Sequence, residues 1–385
     1  MATALNPFGP RVGGAATVPA ETAHHLAYSG RTRTLFGIFF KNLLLTLITA
    51  GVYRFWAKTR TRRFLWSGTA IDGEPFEYTG TGKELFIGFL KALAILGPLF
   101  AILQIGQLWL GKGHTWLMLA LSYGQTLLII VLIYAGSYAA RRYRMSRTLW
   151  SGIRFRQAGS PWRYVGHAML GLFYCVITLG FYFPYFQTRL LRYEVDNLRF
   201  GTAQFRFTGR GREMLGRFAL CWILGLVIYI AFSAVLIGGI VAAMKTGAIA
   251  VPFDENGKLD PSAIPYFIAI GVVFYLSLGL TVLLVGTWYQ SKFWRFRAAH
   301  TQCEGLRLAM PNVTGWRLMR LLVGNWLLAI VSLGLLTPLV MQRSMRFWCR
   351  HLEISGTIDL KAVAQAEGGP RSGEGLAGFF DIDVG

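Results

Sequence analysis

The sequence predicts a polytopic α-helical membrane protein with internal repeats. It is expected to have four spanning helices, three re-entrant or interfacial helical segments, and short β-hairpins on the cytoplasmic face. Three observations carry this. The 385 residues are 54% hydrophobic and only 15% charged, against roughly 25% charged in a soluble domain. The formal net charge is +21, and the arginines crowd the ends of apolar runs, as membrane topology requires. Residues 48–90 return without a gap as 177–219, with Gly51/Gly180, Tyr53/Tyr182, Arg60/Arg189, Arg63/Arg192, Gly80/Gly209, Gly82/Gly211 and Glu84/Glu213 identical. No RNA- or DNA-binding motif accompanies the positive charge, which argues against a nucleic-acid partner.

Taken in order, residues 1–30 lack the charged start and apolar core of a signal peptide and read as a disordered tail. Seven apolar stretches follow, near 35–56, 85–109, 116–138, 165–187, 217–243, 266–290 and 318–341; each approaches the roughly 20 residues a crossing needs. Seven alternating spans are the simple alternative, but they would put several arginine-rich loops outside. The GKGH turn with Lys112 and the loop 244–265 are the two connections poor in basic residues. Spanning hairpins at 85–138 and 217–290 keep every basic loop in the cytoplasm. Segments 35–56, 165–187 and 318–341 then enter and leave on that face. Each carries a polar or small break (Lys41 and Asn42, Gly171, Gly324 with Asn325) and a later glycine (Gly51, Gly180, Gly334). Pro184 and Pro338 would interrupt a straight helix.

Each group of apolar segments ends in a basic helix and a glycine-containing alternating run. Thr69 to Tyr78 reads as a β-hairpin turning near Asp72-Gly73. The domains expected are a first membrane module at 31–163, a second at 164–317, a half-module at 318–360, and a disordered tail at 361–385. The four cysteines form no CxxC and imply no disulfide framework.

The run N-x-LL-T-x-x-T-x-G-x-Y-R-F-W-A-K-T-R-x-R-R at 42–63, with Phe76, Tyr78, Gly80, Gly82, Lys83, Glu84, Leu85 and Phe86 after it, resembles the YjgN-like family of bacterial inner-membrane proteins, a domain of unknown function. The resemblance covers roughly residues 30 to 356. The second module departs from it, with FPYFQTR at 183–189. The resemblance implies a multi-pass protein of the bacterial inner membrane and no particular activity.

The basic pairs three residues apart are the first candidate site: Arg60/Arg63, Arg144/Arg147, Arg189/Arg192, Arg297/His300 and Arg343/Arg346. Their guanidinium groups could bind an anion or a lipid headgroup, or they could simply snorkel and fix topology. Lys41, Asn42 and Asn325 form a candidate polar pathway, since polar groups in apolar runs often line one; bonding to a neighbouring helix is the alternative. Gly80-x-Gly82 and Gly209-x-Gly211 lack a Walker ending, and Thr81 with Glu84 can form a capping box. His300, Cys303, Cys349 and His351 are too scattered to predict a zinc site. No catalytic set, cofactor or metal is expected, and no enzyme. Two functions follow: a transporter or channel for a small solute, an anionic one by charge, or a non-transporting scaffold. The scaffold would bind anionic membrane lipid or a protein partner through its basic cytoplasmic face.

Overall fold

A computed structural model describes residues 23–110, 114–247, 264–357 and 363. Most of the two connections poor in basic residues, including Lys112 and Lys258, therefore lies outside the described residues. After β1 (Ala23–His24) and β2 (Leu26–Tyr28), the chain forms the helix pair α1 (Thr32–Ile48) and α2 (Arg54–Ser67), then the hairpin β3 (Thr69–Ile71) with β4 (Glu74–Tyr78). A long pair, α3 (Gly82–Leu110) and α4 (Thr115–Ser146), leads into β5 (Thr148–Trp150) and β6 (Ile153–Gln157). The short pair α5 (Pro161–Ile177) and α6 (Phe183–Asp196) leads into β7 (Leu198–Phe200) and β8 (Ala203–Phe207). A second long pair, α7 (Arg212–Lys245) and α8 (Ile264–Ala299), leads into β9 (Thr301–Cys303) and β10 (Leu306–Ala309). The chain ends with α9 (Gly315–Val331), α10 (Thr337–His351) and β11 (Glu353–Ser355).

The long pairs are apolar because lipid is their solvent. Four helices, Gly82–Trp109, Thr115–Ser146, Arg212–Lys245 and Ile268–Ala299, are long and apolar enough to cross a membrane, and the chain is an integral membrane protein. Most of their apolar side chains point outward, as lipid-facing ones do; Val235 is 76% and Ile95 71% exposed.

The three short pairs share a different local chemistry. Helices α1, α5 and α9 each run 17 residues, roughly 26 Å. Each stops at a hydroxyl residue (Thr49, Thr178, Ser332), followed by two left-handed residues: Ala50-Gly51, Leu179-Gly180 and Leu333-Gly334. A non-glycine residue with positive φ costs about 1 kcal/mol. The hydroxyl offsets it by accepting the N–H of Tyr53 at 2.9 Å, of Tyr182 at 3.0 Å and of Leu336 at 3.0 Å. The next helix then starts in the opposite direction, and Pro184 and Pro338 sit in its first turn, where a missing N–H is harmless. Each of these apolar segments is thus a helical hairpin rather than one straight helix.

Three of the β-hairpin turns also use two consecutive positive-φ residues, at Asp72-Gly73, Ser151-Gly152 and Glu304-Gly305, the combination that favours a tight two-residue hairpin; in the β7–β8 turn only Gly201 is left-handed. The strands form one antiparallel sheet in the order β1-β11-β10-β9-β8-β7-β6-β5-β4-β3-β2. Its two edges are β1 and β2, which are consecutive in the chain and parted only by His25. β1 pairs with β11 (His24 opposite Ile354) and β2 with β3 (Ala27 opposite Ala70). The N-terminal strand thereby closes the sheet into a barrel-like ring. Residues up to 30 read as a disordered tail in the sequence; the structure corrects this for 23–30, which are pinned on both sides. Polar, short and interrupted at His25, this strand carries little apolar periodicity of its own. Of 361–385, Val363 is described, and it is buried against Phe200, Ala203 and Cys303.

The helices follow the same circuit: each packs on its neighbour in sequence and α10 packs back on α1. The main core joins helices to sheet through Leu191, Val195, Phe207, Met214, Tyr289 and Phe296. A second aromatic cluster binds neighbouring hairpins, with Phe155 4.8 Å and Trp150 5.6 Å from Phe200 between ring centroids.

Candidate functional site

Counting back from the turns aligns the basic helices. The residue ten positions before Gly73, Gly152, Thr202, Gly305 and Gly356 is Arg63, Arg142, Arg192, Arg295 and Arg346. The sequence does not single out Arg142 and Arg295, because Arg147 and His300 lie nearer the apparent signature. Two of the five arginines make equivalent bonds. Arg63 donates to the Gly80 carbonyl at 2.9 Å, and Arg192 donates to the Gly209 carbonyl at 2.7 Å.

The other sequence-predicted arginines separate by environment. Arg147 pairs with Glu84 at 3.0 Å, with Tyr143 on the same carboxylate. Arg297 lies over the Trp294 ring at 5.0 Å. Arg60 is exposed, and Arg144 and Arg189 are half-buried on the helices leading into β5 and β7. Arg343 and Arg346 line a cavity.

That cavity lies between α9 and α10, near the ends that meet the sheet. It has a volume of about 560 Å³ and is lined by Arg317, Arg320, Leu321, Arg343, Arg346, Phe347, Arg350 and His351. The sequence explains the convergence. Arg317 and Arg320 lie three apart on α9, while Arg343, Arg346 and Arg350 lie three and four apart on α10, so each set shares one helix face. Gly324 makes room: a Cβ there would lie 2.7 Å from an Arg343 guanidinium nitrogen. Arg317 is steadied by the Asn312 carbonyl at 2.9 Å. Arg346 reaches the Gln342 side chain at 3.4 Å. His351 Nδ1 donates to the Phe347 carbonyl at 2.7 Å. No carboxylate lines the cavity, and none of its arginines is in an ion pair among the described residues. Five guanidinium groups facing one space repel one another, and an anion is the species that relieves this. Arg317, Arg320 and Arg350 do not stand out in the sequence because α9 carries no signature and Arg350 breaks the three-residue spacing.

The candidate polar pathway divides. Lys41 is exposed. Asn42 is buried and donates to the Ala57 carbonyl at 3.3 Å, while Asn325 donates to the Ser344 hydroxyl at 3.0 Å. Both asparagines tie the first helix of a hairpin to the second, and in both Oδ1 is buried without a partner.

The glycine pairs serve close approach. At Gly82 a Cβ would lie 2.8 Å from the Trp56 Cα, and at Gly211 2.8 Å from the Tyr185 Cα. Thr81 accepts the Glu84 N–H at 3.3 Å, half of a capping box. Burial pushes the Cys303 thiol up to about 12 and the Cys349 thiol up to about 11, so neither offers a thiolate at neutral pH. Among the described residues no three His, Cys, Asp or Glu side chains gather as metal ligands.

Comparison with known proteins adds a family and two relatives. A sequence profile described as "Bacterial protein of unknown function (DUF898)" matches residues 23–379. Inner membrane protein YjgN of Salmonella typhimurium (strain LT2) is 34% identical over 88 residues, which are 23% of this chain and 22% of that protein. Inner membrane protein YjgN of Escherichia coli (strain K12) is 29% identical over 133 residues, 34% of this chain and 31% of that protein. The chain thus matches 22% and 31% of the length of these two relatives. No solved structure matches.

Proposed function

The chain belongs to the DUF898 family of bacterial proteins of unknown function, and we propose that it is a non-transporting inner-membrane protein that holds a phosphate-bearing anion in the cavity between α9 and α10. The observation that carries the reading is the convergence of Arg317, Arg320, Arg343, Arg346 and Arg350 on one cavity with no carboxylate in its lining. The inner-membrane location is supported by the names of the two relatives. The positive-inside rule puts the arginine-rich end, and with it the sheet, in the cytoplasm.

The three helical hairpins are taken to dip into the bilayer from that side. Their bends carry large apolar side chains in the open: Leu47 is 70%, Leu179 76%, Val331 82% and Leu333 92% exposed. Such tips are costly in water and stable in lipid. The repeated hairpin, with its shared hydroxyl and paired left-handed residues, supports descent of the units from one repeated element.

A transporter is the weaker reading because the residues expected to line a path are used otherwise. Lys41 faces outward, while Asn42 and Asn325 tie helices together. The test is lipid retention by the purified protein. Native mass spectrometry of protein released from micelles doped equally with phosphatidylglycerol and phosphatidylcholine is expected to find phosphatidylglycerol retained, and lost in an Arg320→Gln/Arg350→Gln variant. Equal retention of the two lipids, or retention unchanged in the variant, would overturn the proposal. Anion flux into proteoliposomes, abolished by the same variant, would restore the transport reading.

A further inference from the structure

We infer that the anion held by this cavity is the headgroup of a membrane lipid carrying two phosphate groups, with its chains laid along the outer face of α9. The inference rests on the anion reading above and adds the ligand's charge and its source.

Charge and length come from the arginine rows. Arg343, Arg346 and Arg350 extend along α10 for roughly 10 Å, and Arg317 and Arg320 face them from α9. A single phosphodiester presents two free oxygens and one charge. It can engage one or two guanidinium forks and leaves the rest of the row repelling itself. Two phosphates, whether joined as a diphosphate or separated as two diesters, present enough oxygens to bridge both rows. The volume of about 560 Å³ is in the range of roughly 300–1,000 Å³ that suits a small organic ligand and exceeds what one phosphate fills.

The source follows from what continues beyond the cavity. Leu327 and Val331 lie seven and eleven residues after Arg320, on the same side of the helix. They are 49% and 82% exposed. A chain anchored at Arg320 would run over them for roughly 16 Å, towards the apolar bend at Leu333. A free anion has no use for this stripe; a lipid has.

The experiment uses the full-length protein in phosphatidylcholine nanodiscs. Probes are phosphatidylglycerol, with one phosphodiester; cardiolipin, with two; farnesyl diphosphate; and inorganic pyrophosphate in solution. Cardiolipin and farnesyl diphosphate are expected to bind roughly tenfold tighter than phosphatidylglycerol, one further charge-assisted contact being worth about that factor. Arg320→Gln and Arg350→Gln, both on exposed side chains, are each expected to remove most of that margin, while Arg206→Gln, an exposed arginine on β8, leaves it. Leu327→Glu is expected to weaken the two lipids and not pyrophosphate, and a variant whose gel-filtration profile changes is replaced by the other arginine variant. Equal affinity for all three lipids, lost together in the arginine variants, would overturn the two-phosphate claim while the anion reading stands. Pyrophosphate binding as tightly as the lipids, with Leu327→Glu silent, would overturn the lipid claim. Failure of every probe to bind removes both this inference and the reading beneath it.

Discussion

Arg63 donates a guanidinium N–H to the Gly80 carbonyl at 2.9 Å, across the hairpin that follows its helix. The same bond recurs from Arg192 to Gly209 at 2.7 Å. The carbonyl belongs to the residue where the strand leaves the sheet for the next helix, so the arginine fixes the exit angle. Charge is the means and geometry the purpose. Replacing Arg63 or Arg192 by Gln is expected to lower stability by about 1 kcal/mol, the net value of such a bond at a partly solvated site. Arg60→Gln, on an exposed side chain, is expected to change nothing. Chemical unfolding of the detergent-solubilised variants, followed by tryptophan emission, separates the two outcomes.

The closure of the sheet is expected to depend on pH. His24 sits on β1, with Nδ1 bonded to the Asp72 carboxylate and Nε2 2.9 Å from the Gly356 carbonyl. Asp72 also accepts the His25 N–H at 2.8 Å. One imidazole thus ties the N-terminal strand to the turn of the first hairpin and to the end of β11. The hydrogen bond to Asp72 holds the His24 pKa above 6.5 despite partial burial, and the same bond holds the Asp72 pKa below 3.8. The histidine contribution is complete below 6.5 and fades as pH rises through the raised value; the aspartate contribution is complete above 3.8 and fades as pH falls through the lowered one. The clasp is therefore tightest between these limits. Hydrogen exchange of residues 23–28, corrected for the intrinsic pH dependence, is expected to quicken from pH 6 to pH 8. In Asp72→Asn that difference should vanish; a clasp insensitive to both changes would refute the assignment.

The four long helices and the breaks at Gly51, Gly180 and Gly334 were legible because each leaves a local mark: an unbroken apolar run, or a hydroxyl residue two positions before a glycine. The turn at Asp72-Gly73 was legible for the same reason. Ring closure was not. The strand Ala23–Tyr28 is too short for alternation to register, and its two partners, β3 and β11, lie at opposite ends of the chain. The cavity was half legible. Arg343 and Arg346 follow the recurrent spacing, but the arginines facing them from α9 join the site only through the fold-back at Leu333-Gly334. Pairwise contact across a hairpin is invisible to a pattern that reads along one helix.

Two glycine substitutions are expected to act on different properties. In Gly211→Ala the new methyl would lie 2.8 Å from the Tyr185 Cα. Main chain cannot yield without separating α6 from α7, so a loss of about 1–3 kcal/mol is expected. In Gly324→Ala the methyl meets the end of the Arg343 side chain, which can swing away, and stability should stay within about 0.5 kcal/mol. The swing carries Arg343 out of the cavity, so Gly324→Ala is expected to weaken anionic-lipid retention at unchanged stability. Measuring both quantities on both variants checks the contrast, and a Gly324→Ala protein that retains lipid like the wild type would show that Arg343 is not a ligand contact.

The topology proposal is tested by cysteines placed at the bends of three successive β-hairpins. Asp72, Ser151 and Thr202 are all exposed and occupy equivalent turns of one ring, so they must lie on a single side of the membrane. Gly159 is a poor probe despite its loop position: its φ is +83°, and a Cβ would lie 2.8 Å from the hydroxyls of both Tyr138 and Tyr193. Native thiols interfere little, since Cys221, Cys303 and Cys349 are buried, and Cys175 can be changed to Ser. An impermeant maleimide is expected to label all three turn cysteines in inverted vesicles and none in intact spheroplasts. Cysteines at Leu47, Leu179 and Leu333 report on the helical bends. If the hairpins end within lipid, these three react with a membrane-permeant maleimide slowly, and with the impermeant reagent from neither side. Labelling of the bends from outside would mean that the short helix pairs cross the bilayer completely. Labelling of Asp72, Ser151 or Thr202 from outside would invert the molecule and move the arginine cavity to the other face, where the positive-inside rule gives no reason for its charge.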